Sequence, residues 1–335
     1  MNARQIVFEA KGKAALRDFR VPPPEAGEVL LECAYSVVSA GTERANLLAM
    51  PNTAGGAGNF PFSPGYSGAG RVAAVGDGVE NLKTGDRVVI HWGGHCSHFI
   101  KKAETVTRID DDSVDLMEAA FAQIAIFPLL GVRKLRLEIG ESVMVAGLGL
   151  LGVLAVQFAR LSGAIPVLAS DFDPARRELA KRLGADRVFS PEEKDYAAKV
   201  REAAGGTGPA GVVEVTGSAA ALRQALDYAG REGRISLLGC TRVSDVGIDF
   251  YQYVHRRGIS LIGAHTDCRA RRESRPGAWT EHDDHSAFLK LLAARRIEVK
   301  PLISEAAPPE DAPRVYSRLA EMENPPLGIV FDWTR

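Results

Sequence analysis

Apolar and polar residues alternate over short distances in the first third of the chain, as strands with one buried face require. Short apolar or alternating runs lie at 5–9, 29–36, 70–75 and 87–90, and prolines and glycines separate them. Such residues end strands and form the loops between them. The pattern predicts a small β-barrel with long loops.

From about residue 124 the pattern changes to apolar strands that alternate with amphipathic helices. This alternation is typical of a parallel sheet that helices cover on both faces. The predicted strands and helices are, in order, 142–145, 152–162, 165–170, 175–183, 211–216, 219–229, 233–238 and 259–263. A helix at 286–294 and a strand at 328–331 fall outside this sheet.

The two patterns divide the chain into two predicted domains of an α/β protein. The first is β-rich and comprises residues 1–123, to which residues 264–335 are expected to return. The second comprises residues 124–263 and is expected to be a doubly wound parallel sheet.

A glycine-rich turn follows the first strand of the second domain and reads Gly147-Leu148-Gly149-Leu150-Leu151-Gly152. In a dinucleotide-binding βαβ unit, the first glycine makes a tight turn and the second lets a pyrophosphate approach the backbone. The third lets the helix pack closely on the strand. The N–H groups at the start of the helix, including those of Leu150 and Leu151, would face the phosphates. The turn therefore predicts a bound dinucleotide.

An acidic residue, Asp171, ends the next predicted strand. A carboxylate at this position accepts hydrogen bonds from both ribose hydroxyls and repels a 2'-phosphate, so Asp171 favours NAD over NADP. Arg176 and Arg177 are the opposing signal, because a 2'-phosphate could bind there. Asp173-Pro174 before them is typical of a helix N-cap and first helical residue, which favours solvated arginines on an amphipathic helix.

Composition excludes several classes of partner. The 335 residues carry 41 basic and 42 acidic side chains, a formal net charge of -1, so electrostatics give no case for nucleic acid or an anionic membrane. No apolar run reaches the roughly 18 residues of a membrane span, and the first residues lead into a strand rather than a signal peptide. We expect a soluble, cytosolic protein. The four scattered cysteines argue against a disulfide framework or a zinc knuckle.

The order of these landmarks resembles the medium-chain dehydrogenase/reductase family, whose members join a GroES-like catalytic domain to a Rossmann domain. The resemblance covers almost the whole chain. Besides the glycine turn, its markers are Gly41-Thr42-Glu43, the segment 64–72, Gly85-Asp86-Arg87-Val88, Val215-Thr216-Gly217 and Gly239-Cys240. It implies a GroES-like plus Rossmann fold and an NAD(P)-dependent oxidoreductase that acts on CH–OH groups.

The chain departs from the zinc members of this family at the metal ligands. Where they carry cysteine, histidine and often glutamate, this sequence has Ala40, Tyr66 and Ser67, and the last ligand position corresponds to Ala122. None of these side chains replaces a thiolate or an imidazole on zinc. The lobe that holds a structural zinc is also missing. We therefore expect no metal, as in a zinc-free branch of the family that is associated with dehydrogenases of hydroxyl groups on large or ring substrates.

Without a metal, a side chain must move the substrate's proton and stabilise charge on its oxygen. Tyr66 occupies a former ligand position and is the leading candidate, although it could simply fill the volume of the metal. Free tyrosine has a pKa of about 10, so action as a base needs a nearby positive charge or strong donors. Thr42 matches the family's proton-relay hydroxyl, but it could also be an ordinary loop residue. Ala45 stands where some relatives have a relay histidine.

Three further residues are candidates for the substrate pocket. Glu43 is expected to orient the loop, through Arg71, rather than react. Trp92 falls where the family places an aromatic pocket wall, and His91 beside it could serve in catalysis or be structural. The nearby His95, Cys96 and His98 could form a metal site with His91, but residues on a strand alternate sides, which argues against it.

The second half of the cofactor site is predicted at the carboxyl ends of later strands, where doubly wound sheets bind ligands. Its residues are Thr216, Gly217, Gly239, Cys240 and Thr241, and the alternative is ordinary strand-end turns. A polar insertion at 265–285 contains several arginines and Trp279. It could be a lid for a hydroxyl-rich or anionic substrate, or a solvated or subunit-contact loop.

The leading hypothesis is an NAD-dependent, zinc-independent dehydrogenase of a secondary alcohol on a polar ring, sugar or polyol. A quinone or enone reductase is the main alternative, and Asp171 argues against it because those enzymes usually prefer NADPH. A non-catalytic nucleotide-binding protein is the third. The expected partner is a small-molecule substrate, and the family resemblance implies a homodimer or homotetramer.

Overall fold

The computed structural model describes residues 1–53, 58–244, 247–321 and 325–335. The strands are β1 (Asn2–Ala10), β2 (Lys13–Arg20), β3 (Glu28–Val38), β4 (Ser67–Val75), β5 (Arg87–His91), β6 (His98–Lys102), β7 (Thr107–Arg108), β8 (Val143–Ala146), β9 (Val167–Ser170), β10 (Arg187–Phe189), β11 (Gly211–Glu214), β12 (Arg234–Leu237), β13 (Ser260–Gly263), β14 (Ile303–Ala307) and β15 (Gly328–Asp332). The helices are α1 (Ala40–Leu47), α2 (Leu116–Ala119), α3 (Ala122–Lys134), α4 (Leu150–Leu161), α5 (Pro174–Arg182), α6 (Tyr196–Ala203), α7 (Ala219–Tyr228), α8 (Phe250–Tyr253), α9 (Glu281–Ala293) and α10 (Ala312–Glu321). They form two units, residues 1–124 with 282–335 and residues 125–281.

The first unit contains the predicted β-rich fold. Its large sheet has the order β14-β15-β3-β4-β5-β7, with β6 paired to β3, and β1 and β2 form a separate hairpin. The long strand β3 pairs antiparallel with β4, β6 and β15, so it holds the sheet together. Its residues Val29, Leu31 and Val38 point into a buried apolar core.

The C-terminal segment completes this core. Helix α10 buries Ala312, Val315, Tyr316 and Leu319, which recur at the spacing of one helical face. The ring of Tyr316 packs edge-on against Phe8 with 4.8 Å between centroids. Strand β15 is buried along its whole length. The end of the chain therefore supplies part of the first unit's interior.

The second unit is a six-stranded parallel sheet of order β10-β9-β8-β11-β12-β13. Strands β8, β9 and β11 are fully buried, as expected for a sheet that helices cover on both faces. The chain order of the strands reverses between β8 and β11, and in such sheets ligands bind at the carboxyl ends of the strands at this point. The predicted α/β fold class, with a β-rich domain and a doubly wound parallel sheet, is confirmed.

None of the helices in the described part of the chain combines the length and the apolar character that crossing a membrane would require.

Candidate active site

The phenol of Tyr66, just before β4, is held by a hydroxyl from the residue that precedes α1. Its O–H donates to Ser39 Oγ at 2.6 Å. Ser39 is buried and occupies the N-cap position of α1, yet its side chain makes no capping bond. Its hydroxyl instead accepts the hydrogen bond from Tyr66. Two hydroxyls in direct contact can accept a proton and pass it on. Sequence reasoning missed Ser39 as a functional residue, because its partner is 27 residues away.

Trp92 lies beside Tyr66 and forms an aromatic surface with it. The two ring centroids are 5.3 Å apart, and the backbone N–H of Trp92 donates to the backbone carbonyl of Tyr66 at 3.1 Å. Trp92 has φ 54° and is 47% exposed. A bulky residue in the left-handed region is strained, and such strain concentrates at functional sites. The pair presents a partly exposed apolar wall next to the phenol.

His91 is buried at the end of β5. Its Nε2 lies 2.9 Å from the carbonyl of Thr105, so this nitrogen carries a hydrogen and donates. The ring packs against His285, with 5.3 Å between centroids. His91 thus belongs to a buried polar cluster, and its catalytic role stays a prediction.

Glu43 is the centre of a buried hydrogen-bond network. Its Oε1 accepts the backbone N–H of Ser39 at 2.9 Å. Its Oε2 lies 3.0 Å from His95 Nε2 and also accepts the hydroxyl of Tyr316. Burial, reinforced by the Glu43 carboxylate, raises the pKa of Tyr316 well above its usual value, so this phenol remains a donor. The network fixes the backbone of Ser39, which in turn holds Tyr66.

The network continues to the end of the chain. His95 Nδ1 lies 2.7 Å from Ser36 Oγ, and the same oxygen accepts Trp333 Nε1–H at 2.9 Å. The other members of the predicted histidine–cysteine cluster have different partners. The Cys96 thiol donates to the Gly93 carbonyl at 3.1 Å, and burial raises the pKa of this thiol to about 12. His98 Nε2 lies 4.0 Å from Glu32 Oε1.

Two expectations for the Gly41 to Glu43 segment are wrong. Arg71 does not orient Glu43, because its Nη1 donates to the Gly85 carbonyl at 2.9 Å. The segment is also not a loop, since Thr42 and Glu43 lie in the first turn of α1. Thr42 is half-buried there, and its carbonyl accepts Asn46 Nδ2–H at 3.0 Å. Its relay role stays a prediction.

The side chains at the family's zinc positions do not fit a zinc ion. Ala40 and Ala122 have no ligand atom, and the Tyr66 hydroxyl contacts Ser39. Ser67 Oγ donates to the Ala120 carbonyl at 2.6 Å and accepts the Ile124 N–H at 3.2 Å. Across the described ranges, no group of three or more histidine, cysteine, aspartate or glutamate side chains is arranged to hold a metal.

The glycine turn of the second unit leaves space where a dinucleotide would need it. Gly147 has φ 95°, and a Cβ there would lie 2.8 Å from Thr216 Cγ2. A Cβ on Gly152 would overlap the Gly147 carbonyl. In contrast, nothing lies within 4 Å of a Cβ built on Gly149, which is the N-cap of α4. A phosphate could therefore approach the backbone N–H groups at the start of this helix.

Asp171 ties the turn to the end of β9. Its Oδ2 accepts the Leu148 N–H at 2.7 Å, and its Oδ1 accepts the Asp173 N–H at 2.9 Å. Arg177 Nη1 donates to the Asp171 carbonyl at 2.7 Å, so this side chain stabilises the loop. Asp173 caps α5 with Pro174 in its first turn, as predicted, and the Arg176 N–H donates to the cap at 3.4 Å.

The later strand ends lie next to the glycine turn. A Cβ on Gly217 would lie 2.5 Å from the Cys240 carbonyl, and one on Gly239 would overlap the Gly217 nitrogen. Thr216 also contacts Gly147, as described above. The structure therefore brings together the three segments that the sequence assigned to the cofactor, and Thr241 follows the third of them.

Glu214 was not predicted as a site residue, and it holds the backbone at the carboxyl end of β11. It is buried at the end of β11, and its carboxylate accepts the Thr216 N–H at 2.8 Å and the Gly217 N–H at 3.1 Å. Burial raises the pKa of Glu214, and the hydrogen bonds from Thr216 oppose that shift. A buried acid two residues before a threonine–glycine turn is the signal that could have identified it.

The insertion before α9 is anchored rather than extended. Arg269 Nη2 donates to the Ile126 carbonyl, and the Arg133 guanidinium lies 4.2 Å from the Trp279 ring centroid. This cation–π contact fixes the tryptophan of the predicted insertion. Arg271, Arg272 and Arg275 are exposed.

Two family models match the chain. The model described as "Alcohol dehydrogenase GroES-like domain" matches residues 25–136, and the one described as "Zinc-binding dehydrogenase" matches residues 151–279.

The chain is 29% identical to 2-dehydro-3-deoxy-L-galactonate 5-dehydrogenase of Pseudoalteromonas atlantica, over 91% of each sequence. It is 30% identical to L-threonine 3-dehydrogenase of Pyrococcus abyssi, over 75% of this chain and 79% of that protein. The structure superimposes on galactitol-1-phosphate dehydrogenase from Escherichia coli with a TM-score of 0.85 and 20% identity, covering 98% of this chain and 99% of the other.

Proposed function

We propose that this chain is an NAD-dependent dehydrogenase of a secondary alcohol that works without zinc. The proposal starts from the family, because the chain belongs to the medium-chain dehydrogenase/reductase family of oxidoreductases acting on CH–OH groups. The observation that carries the proposal is the Tyr66–Ser39 hydroxyl pair at a position where the family's zinc members have a metal ligand. A metal-free dehydrogenase needs such a group to move the proton of its substrate.

Bound NAD would accept a hydride from the carbon of the alcohol. The residues that would hold it are the glycine turn at 147–152, Asp171 for the adenosine ribose, and the strand ends at 216–217 and 239–241. Support comes from the open space beside Gly149, the N-terminus of α4 and the position of Asp171 on the turn.

In the direction of oxidation, the substrate's hydroxyl proton would go to Tyr66 Oη, the phenol proton would go to Ser39 Oγ, and the Ser39 hydroxyl would release its own proton to water. The 2.6 Å separation of the two oxygens supports this step. Glu43 would act on Tyr66 only through the backbone of Ser39, as a positioning residue. Trp92 would form the wall against which the substrate ring packs.

The substrate class rests on the relatives. One is named for a sugar acid and another for a polyol phosphate, which supports a hydroxyl-rich substrate for this chain too. We expect turnover with NAD on a panel of sugar acids, cyclic polyols and secondary alcohols, and none on quinones or enones. Reduction of enones with NADPH but no alcohol oxidation would contradict the proposal and favour the reductase. Cofactor binding without turnover on either panel would favour a non-catalytic protein.

Cofactor preference can be tested separately. The carboxylate of Asp171 should make NADH bind more tightly than NADPH, and Asp171→Ala should narrow the ratio of the two dissociation constants by about tenfold or more, since a lost charge repulsion of about 1.4 kcal/mol corresponds to tenfold. Both affinities should also fall, because Leu148 loses its acceptor. The ratio, measured by titration of nicotinamide fluorescence, is therefore the informative quantity. Equal affinities in the unmutated protein would contradict NAD preference.

A further inference from the structure

A pocket lies at the start of the last two strands of the parallel sheet, within the second unit. Its volume is about 370 Å³, which is in the range of small-molecule sites. The end of α3, strands β12 and β13 and the insertion before α9 form its walls. The lining residues are Lys134, Arg136, Arg234, Ser260, Ile262 and Gly277. Three of these six residues carry a positive charge and none is acidic.

Arg234 is neutralised and serves as a structural part of the pocket. Its Nη2 lies 2.6 Å from both carboxylate oxygens of Glu141, so this ion pair cancels its charge. Its Nη1 donates to the Arg136 carbonyl at 3.0 Å. The guanidinium of Arg234 therefore fixes the backbone that carries Arg136.

The other two cations have no counterion in the part of the chain that the structure describes. There, the side chains of Lys134 and Arg136 form no ion pair and no hydrogen bond. Two like charges that line one pocket repel each other, and an anion bound between them would replace this repulsion by attraction. The pocket thus holds two uncompensated positive charges.

The insertion lines one side of the pocket without filling it. Its turn at 275–278 is closed by two backbone hydrogen bonds of 2.9 Å, and Gly277 lies in this turn with φ 78°. A Cβ on Gly277 would lie 3.6 Å from Arg136 Nε, so the glycine leaves this side of the guanidinium uncovered. The cation–π contact between Arg133 and Trp279 holds the insertion at the end of α3.

The pocket is at the opposite edge of the sheet from the expected cofactor site. Arg234 and Ser260 are the first residues of β12 and β13, and they are partners across the two strands. The cofactor segment 239–241 follows the other end of β12. Because parallel strands have all their carboxyl ends at one edge, a ligand in this pocket would not compete with NAD.

We propose that this pocket binds the phosphoryl group of a small anion, which is either free phosphate or a phosphate monoester. A phosphate monoester carries a charge of about -1.5 to -2 at pH 7, which matches the two uncompensated cations. Arg136 can donate two parallel hydrogen bonds to phosphoryl oxygens, and Lys134 adds a point charge. The Ser260 hydroxyl is a further donor. A single carboxylate would leave one of the two positive charges uncompensated.

The test is isothermal titration calorimetry on the full-length protein, with inorganic phosphate and with glycerol phosphate, and with chloride at equal ionic strength as the reference. We expect saturable binding that persists when the protein is saturated with NADH. The probe that binds more tightly identifies the source of the phosphoryl group. Lys134→Gln combined with Arg136→Gln should weaken binding at least tenfold, because each hydrogen bond from a charged donor contributes roughly a factor of ten to a hundred.

Two further variants make the test specific. Lys181→Gln combined with Arg182→Gln removes the same two charges from exposed positions of α5, and it should leave the affinity for phosphate unchanged. Arg136→Lys keeps the charge but loses the planar pair of donors. It should weaken binding by less than the double replacement, and it provides a milder variant in case the double one does not fold.

Three outcomes would overturn the inference. The first is that neither probe binds beyond the effect of chloride. The second is that the folded double variant at 134 and 136 keeps its affinity within about threefold, well below the effect of a lost charged donor. The third is that NADH displaces the phosphate, which would place it at the glycine turn. None of them bears on the dehydrogenase function, which turnover on the alcohol panel decides.

Discussion

Replacement of Tyr66 by phenylalanine should lower kcat by about two to four powers of ten, the usual loss when a general acid or base is removed. The variant keeps the ring, its packing against Trp92 at 5.3 Å between centroids and its place before β4, so folding should survive. Only the oxygen that donates to Ser39 is lost. Steady-state rates with NAD and the unfolding midpoint should be measured on the same preparation.

Two companion variants identify the route of the proton. Ser39→Ala removes the second hydroxyl of the pair without removing a helix cap, since the Ser39 side chain makes no capping bond. It should also reduce kcat, by less than Tyr66→Phe. Thr42→Val tests the family's relay position. If Tyr66→Phe changes turnover only several-fold while Thr42→Val or His91→Ala loses it, the proton takes that other route and Tyr66 fills volume only.

Glu43→Ala should destabilise the protein by about 3–5 kcal/mol, because it leaves several buried donors without an acceptor and each costs about 1–3 kcal/mol. Glu43 is 1% exposed, and the substitution would leave the Tyr316 hydroxyl and the Ser39 N–H without their acceptor. His95 would lose the same partner. Chemical denaturation followed by tryptophan fluorescence is a suitable measurement.

An exposed carboxylate provides the control. Glu80 is exposed, so Glu80→Ala should change the unfolding free energy by no more than about 0.5 kcal/mol. If Glu43→Ala were equally mild, the network would not hold the Ser39 backbone as described. Because Glu43 acts through that backbone, folded Glu43→Gln should lower kcat and leave NADH affinity unchanged.

Local pattern was sufficient for much of the fold. Apolar runs such as 143–146 and 167–170 are buried strands of the parallel sheet, and the glycine turn has the tight left-handed residue expected at Gly147. The prediction missed strand β10, which is three residues long, and helix α6, which is only eight residues long. Helix α10 was missed although its apolar face is readable from the sequence.

The candidate site was predicted only in part, because its contacts join distant residues. Tyr66 could be singled out by its position in a family motif, but its partner Ser39 has no local signature. Tyr316 reaches Glu43 across 273 residues, and Trp333 reaches Ser36 across 297. Such pairs are fixed by the return of the C-terminal segment to the first unit, which no short-range pattern encodes.

The central claim is alcohol oxidation without zinc, and the most direct measurement is elemental analysis combined with turnover on one sample before and after treatment with a chelator. The side chains at Ala40, Tyr66, Ser67 and Ala122 predict far less than one zinc per chain and an unchanged rate. The proton of the substrate would then be moved by hydroxyl groups of the chain. A stoichiometric zinc whose removal abolishes turnover, and whose return restores it, would contradict the account.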